Sequence, residues 1–169
     1  MSVTKPTTIH DLFAFLEPDE NNEYEETDRL RDSAIDVLKI LTPVAACAKV
    51  MVKENLVPVL LKLLYADVFA TRLAMLDLLT RLCETSDAVV ECRKQNVVLI
   101  GLYCLCREQD EVGAQYRMAA AKLLNRMCND EKEGPRVILE LRRFMPTVLV
   151  MKIKDQAEIV CSQFDSEHE

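Results

Sequence analysis

The sequence is poor in glycine, and it contains no tryptophan. Only three of its 169 residues are glycine. Glycine supplies the positive backbone angles of tight hairpin turns and lets the backbone approach phosphate groups. A chain with so few glycines is therefore not expected to form hairpin-rich sheets or nucleotide-binding loops. Residues with high helix propensity, such as Ala, Leu, Glu, Lys, Arg and Met, are plentiful. The composition therefore predicts an all-α protein.

Histidine is equally scarce, because His10 and His168 are the only two. Serine and cysteine nucleophiles usually depend on a histidine base, so the sequence offers almost no candidate for the base of a nucleophilic active site. The sequence contains neither the nucleotide-binding motifs G-x-x-x-x-G-K-[ST] and G-x-G-x-x-G nor the zinc motif H-E-x-x-H. Carboxylate pairs such as Glu25 and Glu26 lie in a polar stretch, where solvated side chains are expected. We therefore predict that the protein is not an enzyme and binds no cofactor.

Positive charge is in deficit as well, since 28 acidic residues outnumber 21 basic ones and give a net charge of −7. A nucleic-acid-binding surface must place several cations against phosphates, so this balance argues against nucleic-acid partners. No apolar run approaches the roughly 20 residues of a membrane-spanning helix. The N-terminus lacks the basic, apolar and small-residue segments of a signal peptide. We predict a cytoplasmic protein without a membrane span.

Seven cysteines are scattered among apolar residues: Cys47, Cys83, Cys92, Cys104, Cys106, Cys128 and Cys161. A small disulfide-stapled secreted domain would more often have an even number of them. Cys104 and Cys106 form a C-x-C, but positions i and i+2 of a helix face different directions. No second cysteine pair or nearby histidine completes a tetrahedral zinc site. The sequence predicts reduced, mostly buried thiols and no metal site.

The chain matches itself when it is shifted so that position 33 falls on position 74, a shift that we call the repeat offset. The segment "SAIDVLKIL" at 33–41 then aligns with "AMLDLLTRL" at 74–82, and "VKENLVPVLLKLL" at 52–64 aligns with "RKQNVVLIGLYCL" at 93–105. A further copy of the long-helix segment, "AKLLNRMCN" at 121–129, follows "LDLLTRLCE" at 76–84 at a slightly longer offset. Periods of about 40 to 47 residues are typical of HEAT and armadillo repeats, whose helical units bury their apolar faces by stacking. The sequence predicts an armadillo- or HEAT-like helical solenoid of about three to four repeats.

One such unit, at 55–84, resembles the second and third helices of an armadillo repeat. Pro58 falls in the first turn of a helix, where its missing amide hydrogen does no harm. A core stripe is predicted along the next helix: Ala74, Met75, Leu78, Leu79 and Leu82. Arg72 and Arg81 are predicted at the edge of that stripe. The unit therefore has the amphipathic pattern that stacking requires.

The predicted helices are 9–16, 28–41, 43–53, 56–65, 67–84, 86–94, 96–107, 111–129, 134–144 and 146–162, the last with a break near Lys154. Thr42 is predicted to cap the helix that begins at Pro43. The acidic segment "EPDENNEYEETD" at 17–28 is predicted as an exposed linker.

We divide the chain into an N-terminal helix and acidic linker at 1–27, an armadillo-like repeat domain at 28–165 and a C-terminal tail at 166–169. The apolar "LFAFL" at 12–16 is expected to cap one end of the array or to dock loosely on it. The other end is expected to continue into a longer array.

Basic residues cluster near the C-terminal end of this acidic chain: Arg136, Arg142, Arg143, Lys152 and Lys154. Such a patch can attract an acidic protein partner or an anionic lipid headgroup. The alternative is that these are ordinary solvated side chains near helix ends. The apolar segment "FMPTVLVMKI" at 144–153 is predicted to pack on "LLNRMC" at 123–128 or on a further repeat, and a binding strip is the alternative.

Three motifs mark the C-terminal quarter: Gly134-Pro135-Arg136, Phe144-Met145-Pro146 and His168-Glu169. Through them the run 123–169 resembles part of the large endosomal J-domain co-chaperone family, DnaJ homolog subfamily C member 13, also named for receptor-mediated endocytosis. In that family the His-Glu pair leads into a tryptophan-containing repeat, which would begin after the last residue here. The chain also lacks the His-Pro-Asp tripeptide through which J-domains stimulate a 70-kilodalton heat-shock chaperone.

The resemblance implies a non-catalytic, protein-binding scaffold segment of a longer protein that acts on endosomal coats. The implied partners are sorting nexins, clathrin or other coat components, and the implied location is cytoplasmic and peripheral on endosomes. A heat-shock chaperone would be recruited only through a J-domain that this chain does not contain. The alternatives are a purely structural solenoid spacer and an armadillo-repeat adaptor unrelated to endosomes. A homodimer through the C-terminal apolar strip is a separate possibility.

Overall fold

The computed structural model describes the backbone of residues 9–16, 24–64, 69–106 and 111–166. Within these ranges it contains α-helices and no strand, so the all-α prediction is confirmed. The helices are α1 (Ile9–Ala14), α2 (Tyr24–Leu41), α3 (Ala45–Lys53), α4 (Leu56–Leu63), α5 (Phe69–Leu82), α6 (Ser86–Lys94), α7 (Val97–Leu105), α8 (Glu111–Cys128) and α9 (Gly134–Ser166).

Two predicted boundaries are wrong because helices continue through expected breaks. Helix α2 begins at Tyr24, inside the segment predicted as a linker. The two helices predicted at 134–144 and 146–162 form the single helix α9, which passes through Pro146 and Lys154. Proline removes a hydrogen bond to the carbonyl four residues earlier, that of Arg142. Pro146 and Arg142 are both exposed, so water can satisfy that carbonyl and the helix continues.

The predicted helix start at Thr42 and Pro43 is also wrong. Helix α3 begins at Ala45, and the extended residue before it, Val44, makes no side-chain capping bond. Thr42 instead closes α2, because its backbone N–H donates to the Leu38 carbonyl at 2.9 Å. Its hydroxyl donates to the Lys39 carbonyl at 3.4 Å. A threonine hydroxyl can act at either end of a helix, and here the preceding helix provides the acceptor.

The segments that match at the repeat offset have the same helix boundaries. At this offset, the first and last residues of α3 align with the first and last residues of α6. The first residue of α4 likewise aligns with the first residue of α7. Asn55 and Asn96 occupy equivalent positions before α4 and α7, and both have left-handed backbones with φ of 64° and 58°. Asparagine tolerates this conformation better than most residues. The same turn therefore joins two helices in both copies.

The helices pack around one apolar core. Helix α2 packs on α5 and α5 on α8, while α3 contacts α6, and α7 contacts α8 and α9. The core stripe predicted for α5 is confirmed, since Met75, Leu78, Leu79 and Leu82 are fully buried and Ala74 is half-buried. Pro58 lies in the first turn of α4, as predicted. Phe13 and Leu16 from the N-terminal segment are buried in the same core.

Six of the seven cysteines are described, and none of these six forms a disulfide bond. Cys83, Cys92 and Cys104 are buried, and the other three described cysteines are half-buried. The sulfur atoms of Cys83 and Cys92 lie 3.6 Å apart at hydrogen-bonding distance. The Cys83 hydrogen bond and burial both raise the pKa of the Cys92 thiol. Cys83 and Cys92 therefore pack as apolar groups of the core.

Some predictions concern parts of the chain that lie outside the described residues. They include the His168-Glu169 motif and the junction between the predicted helices 56–65 and 67–84. The side chains of His10 and Cys161 are likewise not described. The division into 1–27, 28–165 and 166–169 stays a prediction.

Gly134, the first residue of α9, has no room for a side chain. A Cβ atom there would lie 2.2 Å from the backbone carbonyl oxygen of Cys128. Only a backbone shift can relieve this overlap, so Gly134→Ala should lower the free energy of unfolding by about 1–3 kcal/mol in urea denaturation. Gly101→Ala is the control, because its Cβ would meet only side-chain atoms of Leu124, and a side chain yields at a lower cost than the backbone. Equal losses in the two variants would contradict the backbone explanation.

Candidate protein-binding surface

The five basic residues singled out in the sequence all lie on α9. Arg136, Arg142, Arg143 and Lys154 are exposed, and Lys152 is half-buried. Since successive helical residues are about 100° apart, Arg136 and Arg143 lie two turns apart on one side of the helix. Arg142 is rotated away from them, and Lys152 lies on the side opposite Arg143. The fold therefore does not gather the five cations into one compact patch.

Arg136 belongs to an ion-pair network that joins α6 to α9. Its guanidinium lies 2.8 Å from a carboxylate oxygen of Glu133, which is only 6% exposed. Arg93 on α6 also contacts Glu133, and its Nε donates to Glu140 at 2.9 Å. Burial works to lower the pKa of Arg93, but hydrogen bonds to Glu140 and Glu133 raise it above its usual value. Arg136 is thus already paired, which leaves Arg142 and Arg143 as the exposed adjacent cations.

The turn before α9 is held by Asp130. Its carboxylate accepts hydrogen bonds from the backbone N–H groups of Lys132 and Glu133 at 3.0 and 2.7 Å. It also accepts the Ser86 hydroxyl at 2.8 Å. Burial tends to raise the pKa of Asp130, but these hydrogen bonds keep it below its usual value. Together with Arg93, Asp130 fixes where α9 begins relative to α6.

The apolar segment at 144–153 has a packed side and an exposed side. Phe144 and Val148 pack against the core, while the predicted contact of this segment with 123–128 or with a further repeat stays a prediction. Ile138, Met145 and Leu149 are large apolar side chains that remain exposed. Their spacing of seven and four positions places them along one line of the helix, and Arg142 falls on the same line. We call Ile138, Arg142, Met145 and Leu149 the α9 stripe.

The α9 stripe has the composition of a protein-binding surface. Methionine and arginine are enriched at interfaces, whereas lysine and glutamate are depleted. A contiguous line of exposed apolar side chains is unusual on a surface that meets only water. The stripe also combines an apolar anchor line with a cation that can pair with an acidic partner. Arg143 lies next to Arg142 and is exposed at the border of the stripe.

Besides the α9 stripe, the structure contains a cavity between α5, α7, α8 and α9. It has a volume of about 520 Å³ and is lined by Leu64, Arg72, Leu99, Ile100, Tyr103, Cys104, Tyr116, Val148 and Met151. Arg72 is the one charged side chain among the described residues that line it. The sequence did not reveal this cavity, because its walls come from helices that are separated along the chain.

Arg72 is more deeply placed than the helix edge predicted for it. Its Nε atom is buried and has no hydrogen-bond partner in the described part of the chain. Its guanidinium carbon lies 5.8 Å from the centre of the Phe69 ring, which in turn lies 6.1 Å from the ring of Tyr116. Arg81, by contrast, lies at a half-exposed edge and pairs with Asp77 at 2.8 Å, as expected. In the sequence, the one sign of this deep placement is that Arg72 is a charged residue near the mostly apolar start of α5.

Among the helices that the structure describes, none combines the length and the apolarity needed to cross a membrane.

Comparison with known proteins shows one similarity in sequence, to a DnaJ homolog. No protein-family model matches the chain, and no solved structure matches it. The chain is 33% identical over 121 residues to DnaJ homolog subfamily C GRV2 of Arabidopsis thaliana. The similar region covers 72% of this chain but only 5% of that protein. The aligned region is longer than the run 123–169, in which the sequence motifs lie. It supports the resemblance to J-domain co-chaperones only loosely.

Proposed function

We propose that this chain is a non-catalytic helical-repeat scaffold segment that binds another protein through α9. The observation that carries the proposal is the α9 stripe, an exposed apolar line with Arg142 in it and Arg143 beside it. An acidic amphipathic helix is the partner that fits best, because its apolar face would cover Ile138, Met145 and Leu149. Its carboxylates would pair with the two arginines.

The repeat architecture rests on two further observations. The segments that match at the repeat offset share helix boundaries and the asparagine turn. The long helices α2, α5 and α8 also pack in succession. Stacked units with equivalent helices are what an armadillo- or HEAT-like solenoid of three to four repeats requires. Such an array offers an extended surface, which suits a scaffold better than a catalyst.

The cellular setting is inferred from the similarity to a DnaJ homolog. The resemblance of the C-terminal motifs to the endosomal co-chaperone family implies a place on the cytoplasmic side of endosomes. On this basis the partners are sorting nexins, clathrin or other components of endosomal coats. Recruitment of a heat-shock chaperone would require a J-domain elsewhere in a longer protein.

The test is an affinity purification from cytosol with the 169-residue chain as bait. Wild type is compared with the double variant Arg142→Glu and Arg143→Glu by quantitative mass spectrometry. We expect sorting-nexin or clathrin-coat components with wild type and a several-fold loss with the variant. Both arginines are exposed, so thermal unfolding should change little.

A matched control changes the charge by the same amount elsewhere. Lys122 and Arg126 are exposed on α8, and reversing both should leave recovery of the coat components unchanged. An empty purification with folded wild-type protein would favour the structural spacer. Recovery of only non-endosomal proteins, lost with the Arg142 and Arg143 variant, would favour an adaptor unrelated to endosomes. A dimeric mass in concentrated solution would instead indicate that α9 binds a second copy.

A further inference from the structure

The cavity between α5, α7, α8 and α9 has the size and chemistry of a binding site. Its volume of about 520 Å³ lies within the range of roughly 300–1,000 Å³ that is typical of ligand sites. Aliphatic and aromatic side chains form most of its wall, and Arg72 contributes a single positive charge. This combination of an apolar chamber with one cation suits a group that is apolar and carries a negative charge nearby.

Arg72 has an unused hydrogen-bond donor at this cavity. Its buried Nε finds no acceptor among the residues that the structure describes. A buried donor without a partner is costly, and burial also removes the water that would otherwise compensate. A carboxylate is the natural complement of the guanidinium that lines the cavity, because it carries the opposite charge and accepts charge-assisted hydrogen bonds. The contact with the Phe69 ring helps to hold the guanidinium in place.

The mouth of the cavity is accessible from solvent. Tyr103 and Met151 line it and remain 49% and 47% exposed. Lys152 lies next to Met151 and one turn along α9 from Val148, so it adds positive charge on this side of the helix. Tyrosine, methionine and arginine are the residue types that dominate the centres of protein interfaces. The mouth therefore resembles a protein-recognition site more than a closed ligand chamber.

We propose that this cavity binds a short acidic and apolar peptide segment of a partner protein. A large apolar side chain of the peptide enters the cavity, and a neighbouring carboxylate pairs with Arg72. A lipid surface fits less well, because membrane-binding patches usually gather about four to eight cations. The inference shares with the proposed function only the premise that the chain binds protein, since it concerns a different surface from the α9 stripe.

The test starts from a display library of peptides with nine randomised positions, selected against the intact chain. A fluorescein-labelled synthetic copy of the most enriched peptide is then titrated by fluorescence polarisation. We expect enriched peptides to carry a large apolar residue within two positions of an acidic one. Arg72→Met should weaken binding of the labelled peptide about 10- to 100-fold, because a charge-assisted hydrogen bond is lost. Replacing the peptide's acidic residue by its amide should cause a similar loss of affinity. When the changed peptide is titrated against Arg72→Met, the affinity should fall little further.

The stability of Arg72→Met separates a binding role from a structural one. The substitution removes a buried donor that has no partner among the described residues, but it also removes the contact with the Phe69 ring, so the melting temperature should change by no more than about 2–4 °C. Met151→Glu is a second variant, which places a repelling carboxylate at the half-exposed mouth and should weaken the peptide several-fold. Arg126→Met is the matched control, since it removes one exposed positive charge from α8 and should bind like wild type.

Several results would overturn the proposal. They are the absence of any enriched peptide, enriched peptides without an acidic residue, and unchanged affinity in Arg72→Met. Displacement of the peptide by the fluorescent fatty acid cis-parinaric acid at an equal concentration would assign the cavity to an acyl chain instead. A peptide that binds the Arg142 and Arg143 charge-reversal variant like wild type, but fails to bind Arg72→Met, supports this cavity even if the cytosolic purification is empty.

Discussion

Leu79→Asp should unfold this protein. Leu79 lies on α5 with no exposed surface, in contact with the core that α5 forms with α2, α4 and α8. Removing a buried leucine costs about 2–5 kcal/mol, and an unpaired buried carboxylate adds several more. The sum is comparable to the whole stability of a domain, about 5–15 kcal/mol. Circular dichroism should show loss of helicity, and the variant should become poorly soluble.

Two further substitutions make this test specific. Leu124→Asp on α8 should have a similar effect, because Leu124 is also buried. Leu139→Asp introduces the same charge at a leucine that is 63% exposed on α9, and it should fold normally. Ordinary helicity and solubility in both buried variants would show that the assignment of core positions on α5 and α8 is incorrect.

Arg93→Met should lower the free energy of unfolding by about 2–3 kcal/mol, because it removes the cation from a partly buried ion-pair network and leaves its carboxylates poorly compensated. Arg93 contacts both Glu133 and Glu140, and the Glu133 side chain is only 8% exposed. Without Arg93, Glu133 keeps only the exposed Arg136 and Glu140 loses this cation, so poorly compensated carboxylates remain at the junction of α6 and α9. Urea denaturation of the two proteins measures the difference.

Arg136→Met is the control for this network, because it removes the other cation that contacts Glu133. The Arg136 side chain is 65% exposed, so its loss should cost no more than about 1 kcal/mol. Adding Glu133→Gln and Glu140→Gln to Arg93→Met should restore much of the stability, since the unpaired charges are then gone. If Arg93→Met and Arg136→Met cost the same, burial is not what makes the network important.

Repetition in the sequence is what made the helix boundaries predictable. The repeat offset aligns Asn55 with Asn96, and both adopt the same left-handed turn. The boundaries of α6 were predicted as observed, and the structure shows that Thr85 caps its first turn by accepting a hydrogen bond from the Ala88 N–H. Signals of this kind depend on residues within a few positions of each other. They are therefore readable before the tertiary structure is known.

Prediction was less successful where a local signal had two outcomes. Pro146 can end a helix or be tolerated within one, and its exposure determines which occurs. Thr42 can begin one helix or close another, and the position of the Lys39 carbonyl decides between them. The basic cluster was visible in the sequence, but helical periodicity places Lys152 and Arg143 on opposite sides of α9.

The sequence by itself determined that the described chain is helical, that its segments repeat, and which residues of α5 form a core, because all three follow from composition and periodicity. Only the tertiary structure decided that Arg93 joins α6 to α9 through Glu133 and Glu140, which are far from it along the chain. It alone brought Arg72 together with Tyr103, Tyr116 and Met151 around one cavity. Such contacts depend on how separate helices stack, and stacking is set by the fit of whole apolar faces rather than by any local motif.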